Sequence, residues 1–126
     1  MANLFYLKRL VYSTAAPDTN GIVQEPPFII KRSAESVDRG IHCSHGIRNY
    51  DVILWYKREG RGALKLLGHL NVNFVNLEDD VKGKILFDGH GSSKSGLTIY
   101  NLTLSDSGVY FCAVRQHSAA GFFSTI

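Results

Sequence analysis

The chain has 126 residues, 44% hydrophobic and 20% charged, with a net charge of +3 at pH 7. This composition suits one globular domain and excludes a disordered or coiled-coil chain. Basic residues never run longer than two, which argues against a nucleic-acid stripe, and no apolar run reaches the about 18 residues of a membrane span.

Residues Met1 to Ala16 begin like a leader, with Leu4, Phe5, Tyr6 and Leu7, but Lys8 and Arg9 interrupt the apolar run. A secretory signal needs about 7–15 uninterrupted apolar residues. An atypical leader and a disordered tail both fit, and under either reading residues 1–20 are expected to lie outside the fold. From Ile22 the apolar period is two. Pro26-Pro27 denies a helix and suits an edge strand. Phe28-Ile29-Ile30 is a short strand candidate, and Ser36 to Ser44 places Val37, Ile41 and Cys43 on one parity. Asp51 to Lys57 is rich in β-formers. Glu59-Gly60-Arg61-Gly62 signals a turn before a strand candidate at Ala63 to Leu70. Lys84 to Phe87 is another apolar run, His90 to Gly96 reads as a loop or hairpin, and Leu97, Ile99 and Leu102 are expected inside. Val109 to Val114 is the last clear strand. Short strands about 8–12 residues apart indicate an all-β sandwich or barrel.

Two cysteines, Cys43 and Cys112, are too few for a thiolate zinc site or a dense disulfide framework. They leave one long-range bridge or two free thiols. Trp55 lies mid-strand between them, and Tyr110 precedes Cys112 by two residues. This Cys…Trp…Tyr-x-Cys order resembles an immunoglobulin sandwich, and Asp106-Ser107-Gly108-Val109-Tyr110-Phe111-Cys112 is similar to the D-x-[AG]-x-Y-x-C stretch of immunoglobulin variable-type domains. The likeness runs from Val23 to Val114. Tyr50 to Leu54, Val81-Lys82-Gly83-Lys84 and Tyr110-Phe111-Cys112-Ala113 most resemble a T-cell receptor β-type variable segment of a bony fish.

The resemblance implies a Greek-key V-type sandwich over residues 21–115. It implies a Cys43–Cys112 disulfide tying the two sheets, worth roughly 4 kcal/mol for a loop of about 70 residues. Trp55 is implied to pack on the bridge and the Tyr110 hydroxyl to anchor the turn before its strand. Lys84 and Asp106 are the implied ion pair, partly exposed and worth about 1 kcal/mol or less. The domain is implied to bind rather than catalyse, through loops at one end. By position the first loop is His45, Gly46, Ile47, Arg48, Asn49 and Tyr50. The second spans Leu70 to Asn76, with Asn71, Val72, Asn73 and Phe74 at its centre. The implied ligand is of the peptide–MHC type, the implied location the extracellular face of the plasma membrane. Pairing with a partner variable domain would use Tyr56, Arg58, Leu64, Leu66 and Phe111. Arg58 departs from the family's usual glutamine, and a buried arginine needs a carboxylate partner.

The family's last strand, G, carries Phe-Gly-x-Gly. Nothing after Cys112 supplies it, and Gly121-Phe122-Phe123-Ser124 is a different sequence, so residues 116–126 read as an irregular tail that leaves a strand edge open. His117-Ser118-Ala119 back-translates to CAC-AGT-GCN. That string contains CACAGTG, the heptamer flanking unrearranged antigen-receptor segments, and suggests germline read-through.

His42, Cys43 and His45 are spaced like ligands, but the implied bridge takes Cys43, so no metal is expected. Asp88 to Ser95 echoes a phosphate loop without its Gly-Lys order or a following helix, and no cofactor is expected. Glu78-Asp79-Asp80 reads as a solvated loop. No G-x-S-x-G elbow orders a catalytic triad, so no enzyme is expected. Asn101-Leu102-Thr103 is a glycosylation sequon. The class competing with an antigen-receptor segment is a germline-encoded innate receptor or adhesion domain.

Overall fold

The computed structural model describes residues 4–8, 21–26, 28–32, 34–59 and 62–116. Ten strands follow in chain order: β1 (Leu4–Lys8), β2 (Val23–Glu25), β3 (Phe28–Arg32), β4 (Val37–Ser44), β5 (Tyr50–Arg58), β6 (Lys65–Asn71), β7 (Phe74–Leu77), β8 (Ile85–His90), β9 (Lys94–Ile99) and β10 (Gly108–Gln116). Single 3-10 turns at Asp79–Val81 and Leu104–Asp106 precede β8 and β10. One sheet has the order β3-β1-β10-β5-β6-β7, the other β2-β4-β9-β8. This is an all-β immunoglobulin V-type sandwich.

Period-two patterning explains which face each strand buries. In β9, Leu97 and Ile99 enter the core; in β8, Ile85 and Phe87 do so; in β10, Tyr110, Cys112 and Val114. The central strand β5 buries Val52 to Trp55 without alternation. Ile53 and Trp55 enter the core between the sheets, while Val52 and Leu54 join Ala113 in a second cluster on the outer face of the six-stranded sheet. A strand covered on both sides loses its polar parity.

Three expectations change. The stretch from Leu70 to Asn76 is not one loop: Leu70 and Asn71 end β6, and Phe74 begins β7, leaving Val72-Asn73 as the turn. Val75 and Leu77 pack against the core, so their alternation outweighs the polar asparagines beside them. The loop at His90 to Gly96 shrinks to Gly91–Ser93, because the backbones of β8 and β9 pair from His90↔Lys94 onward. Leu4–Lys8, expected outside the fold, is a strand. It pairs antiparallel with β3 along its length and parallel with β10 at Leu7↔Gly108 and Lys8↔Val109. An outer strand edge presents unpaired N–H and C=O groups that a β-forming segment satisfies. Among the described residues no strand follows β10; His117 to Ile126, including the heptamer tripeptide, lie outside them.

Candidate functional site

The frame holding the loops is a set of bonds between the sheets. Cys43 on β4 and Cys112 on β10 are disulfide-bonded, with Cα atoms 6.4 Å apart and 69 residues between them in sequence. Trp55 sits opposite Cys112 in the β5–β10 register. It is fully buried, and its Nε1–H donates to Ser95 Oγ on β9 at 3.0 Å. Gln24, unnoticed in the sequence, makes a second cross-link: its Nε2 donates to the Tyr110 carbonyl at 2.8 Å, and its Oε1 accepts from Cys112 N–H at 3.1 Å. It satisfies two backbone groups on the side of β10 away from β5. A side-chain amide offers the donor and the acceptor that these two groups need, but a lone glutamine in a short edge strand gives no sequence signal.

At the base, Tyr110 donates its hydroxyl to the Asp106 carbonyl at 2.6 Å, and burial raises that phenol's pKa above its ordinary value. Lys84 Nζ lies 2.8 Å from Asp106 Oδ2 and donates to the carbonyls of Tyr100 and Asn101. Asp106 is buried, and its carboxylate also accepts from Thr103 N–H at 2.8 Å. The pair is open on the lysine side only, with the Lys84 side chain 33% exposed and that of the acid 9%. A cleft of about 370 Å³ opens beside it, floored by Leu67, Val81 and Ile85. The ammonium groups at its mouth are engaged: Lys57 with Glu59 and the Ser105 carbonyl, Lys65 with Asp80, Lys84 with Asp106. The acidic run Glu78-Asp79-Asp80 forms ion pairs of its own, Asp79 with Lys82 and Asp80 with Lys65.

At the opposite end three connections are knitted together. Val72 N–H donates to the Asp51 carbonyl at 2.9 Å, and Gly91 N–H to the Val72 carbonyl at 2.6 Å. His45 N–H reaches the Ser93 carbonyl at 2.9 Å. The His45 ring accepts from Ile47 N–H at Nδ1, so Nε2 carries the proton and donates to the Gly91 carbonyl at 2.7 Å. A side chain at Gly91 would collide with the Asp51 carbonyl, so this close approach requires glycine. Asn49 and Val72 take φ of 69° and 57°. For a β-branched residue such as Val72 that conformation is strained and is held by its surroundings. Gly46, Arg48, Asn49, Val72, Asn73 and Phe74 face solvent, Phe74 at 73% exposure; Ile47, Tyr50 and Asn71 are half-buried. The end of β10 arrives beside them, Gln116 opposite Tyr50.

The outer face of the six-stranded sheet carries the remaining residues singled out. Tyr56 stacks on Phe111 with ring centroids 5.6 Å apart. Phe111, opposite Tyr56 on β10, is only 5% exposed and presents little surface of its own. Tyr56 and Leu66 are half-buried against the outer cluster, and Leu64 is 46% exposed. Arg58, on the same parity of β5, is half-buried, and its Nε is shielded from water with no hydrogen-bond partner among the described residues. His69 lies across from Leu54; burial, aided by the Arg115 charge, lowers its pKa against a smaller opposing effect of Glu78. Leu97, Ile99 and Leu102 are buried in the core, and Asn101 is exposed at φ 51°. No three His, Cys, Asp or Glu side chains cluster as a metal site among the described residues. No helix there is long and apolar enough to cross a membrane.

Residues 39–126 match the model of the immunoglobulin V-set domain. Human T cell receptor beta variable 3-1 is 26% identical over 102 residues, 81% of this chain and 87% of that protein. Human T cell receptor beta variable 10-3 is 27% identical over 117 residues, covering 89% and 95%. A solved structure concerning T cell specificity and activation by the bacterial superantigen toxic shock syndrome toxin-1 shares the fold, with TM-score 0.61 at 21% identity over 94% of this chain and 86% of that one. The chain belongs to the immunoglobulin V-set family and resembles T cell receptor beta variable segments.

Proposed function

We propose that this chain is the antigen-recognition variable domain of a T-cell-receptor-like surface receptor, acting on the extracellular side of the plasma membrane. Its end loops bind a protein ligand of the peptide–MHC type, and the outer face of the six-stranded sheet packs on a partner variable domain. The observation that carries this reading is the hydrogen-bonded convergence of His45–Tyr50, Val72-Asn73 and Gly91–Ser93 at one end. It leaves Arg48, Asn49, Asn73 and Phe74 exposed on a braced platform. Rigid presentation of exposed polar and aromatic side chains suits protein recognition, because little ordering remains to be done on binding. Likeness to the two human beta variable segments supports the receptor class.

The test is to sequence lymphocyte and non-lymphoid transcripts across Arg115. Variable joints leading into Phe-Gly-x-Gly, confined to lymphocytes, are the expected result. One fixed downstream sequence in every tissue replaces this reading with a germline-encoded innate receptor.

A further inference from the structure

Two lysines meet across neighbouring strands at the base. In the register of β5 against β6, Lys57 lies opposite Lys65, and both line the cleft of about 370 Å³. Like charges opposite one another on paired strands are unfavourable, so the arrangement favours negative charge between them. The nearby acids supply it from the solvent side. Glu59 on Lys57 and Asp80 on Lys65 keep 66% and 63% of their side chains exposed, whereas Lys57 is 12% exposed. Ion pairs with such exposed acids are weak and screened by salt.

An ammonium carries three N–H donors. Lys84 uses all three, on Asp106 and on the carbonyls of Tyr100 and Asn101. Lys57 uses two, on Glu59 and the Ser105 carbonyl, and Lys65 one, on Asp80, so among the described residues Lys57 keeps one donor and Lys65 two for a further acceptor. Asp106, the buried acid of the lining, is already matched by Lys84. The floor is apolar, made by buried Leu67, Val81 and Ile85. The cleft falls within the roughly 300–1,000 Å³ of small-molecule sites, which join an apolar lining to a few convergent polar groups. A neutral apolar molecule would leave the ammonium pair uncompensated, and a bare anion would leave the floor unfilled. An amphipathic anion satisfies both.

We propose that the base cleft binds a monocarboxylate with an apolar tail, of the fatty-acid class. The carboxylate sits between Lys57 and Lys65, one oxygen accepting from each ammonium, and the tail lies on Leu67, Val81 and Ile85. The site stands apart from the loop platform and does not rest on the receptor reading. The probe is decanoate, titrated into the full chain by calorimetry, with decanol and acetate as its uncharged and tailless counterparts. Decanoate is expected to saturate a single site and to bind about tenfold or more tighter than either counterpart, less so as salt is raised. Lys65→Met should weaken decanoate about tenfold and Lys65→Arg should retain it. Cooperative unfolding checks the fold of each variant, and Lys57→Gln supplies an independent one. Decanol binding as tightly as decanoate, or unchanged decanoate affinity in Lys65→Met and Lys57→Gln, overturns selection by the ammonium pair. A failure of decanoate to saturate overturns the site. Binding to phosphatidylglycerol vesicles without binding to free decanoate makes the base a membrane contact and equally overturns the proposal.

Discussion

Lys84 on the approach to β8 and Asp106 in the turn before β10 meet at 2.8 Å, and the acid's other contacts tie its own turn shut. Asp106 Oδ2 accepts from the N–H and the hydroxyl of Thr103, while the Asp106 carbonyl receives the Tyr110 hydroxyl. One residue thus joins the base of the four-stranded sheet to the final strand of the six-stranded one.

Lys84→Met should therefore cost about 2–4 kcal/mol, since it leaves a buried carboxylate without its counter-charge. Lys65→Met, which frees only the solvated Asp80, should stay within about 0.5 kcal/mol. Urea unfolding of both variants checks this. Equal losses would mean that the depth of Asp106 does not govern the pair.

Gln24→Leu should cost about 1–3 kcal/mol, because it leaves the Tyr110 carbonyl and Cys112 N–H unsatisfied beside the core. Gln24→Glu should destabilise as well, as a carboxylate keeps the acceptor for Cys112 but loses the donor to Tyr110. Faster amide exchange at Cys112 in Gln24→Leu is the local readout.

His69 should make the fold sensitive to mild acid. Burial holds its pKa below the ordinary 6.5, with Arg115 acting in the same sense. The unfolded chain therefore takes up a proton before the native one does. The stability contribution is complete above the ordinary histidine range and is lost as pH falls through the lowered native value. His69→Gln should flatten the acid side of the stability profile, read by thermal melts at a series of pH values. An unchanged profile would assign the sensitivity to other groups.

Asn101 is expected to carry an N-linked glycan when the chain passes through a secretory pathway. It is exposed, and it lies at the base beside Lys84, away from the loop platform. Enzymatic deglycosylation should lower the mass of wild type and leave Asn101→Gln unchanged. Ligand and partner binding should not differ between the two.

Much of this was legible in the residues. The Cys43, Trp55, Tyr110 and Cys112 order, read with the period-two runs, carries the sandwich, its inter-sheet bridge and the buried tyrosine, because each depends on residue type at a set spacing. Lys84 and Asp106 could be paired by resemblance, but the depth of the acid could not, since burial comes from Tyr110, Thr103 and the packing around them. β7 was concealed by the asparagines flanking Val75, and β1 by the charged Lys8 and Arg9 that made its segment look like a broken leader.

What the sequence determined by itself was most of the strand set, β1 and β7 excepted, and most of the core, for hydrophobic alternation and turn chemistry act over neighbouring residues. Only the tertiary structure decided that Gln24 bridges two backbone groups of β10, that Phe111 stacks on Tyr56, that His45 links the first loop to the turn at Gly91, and that Arg58 Nε is screened from water without an acceptor among the described residues. None of these follows from neighbouring residues: Gln24 reaches β10 only once the two sheets have closed on one another, and Tyr56 meets Phe111 only once β5 and β10 pair within one sheet.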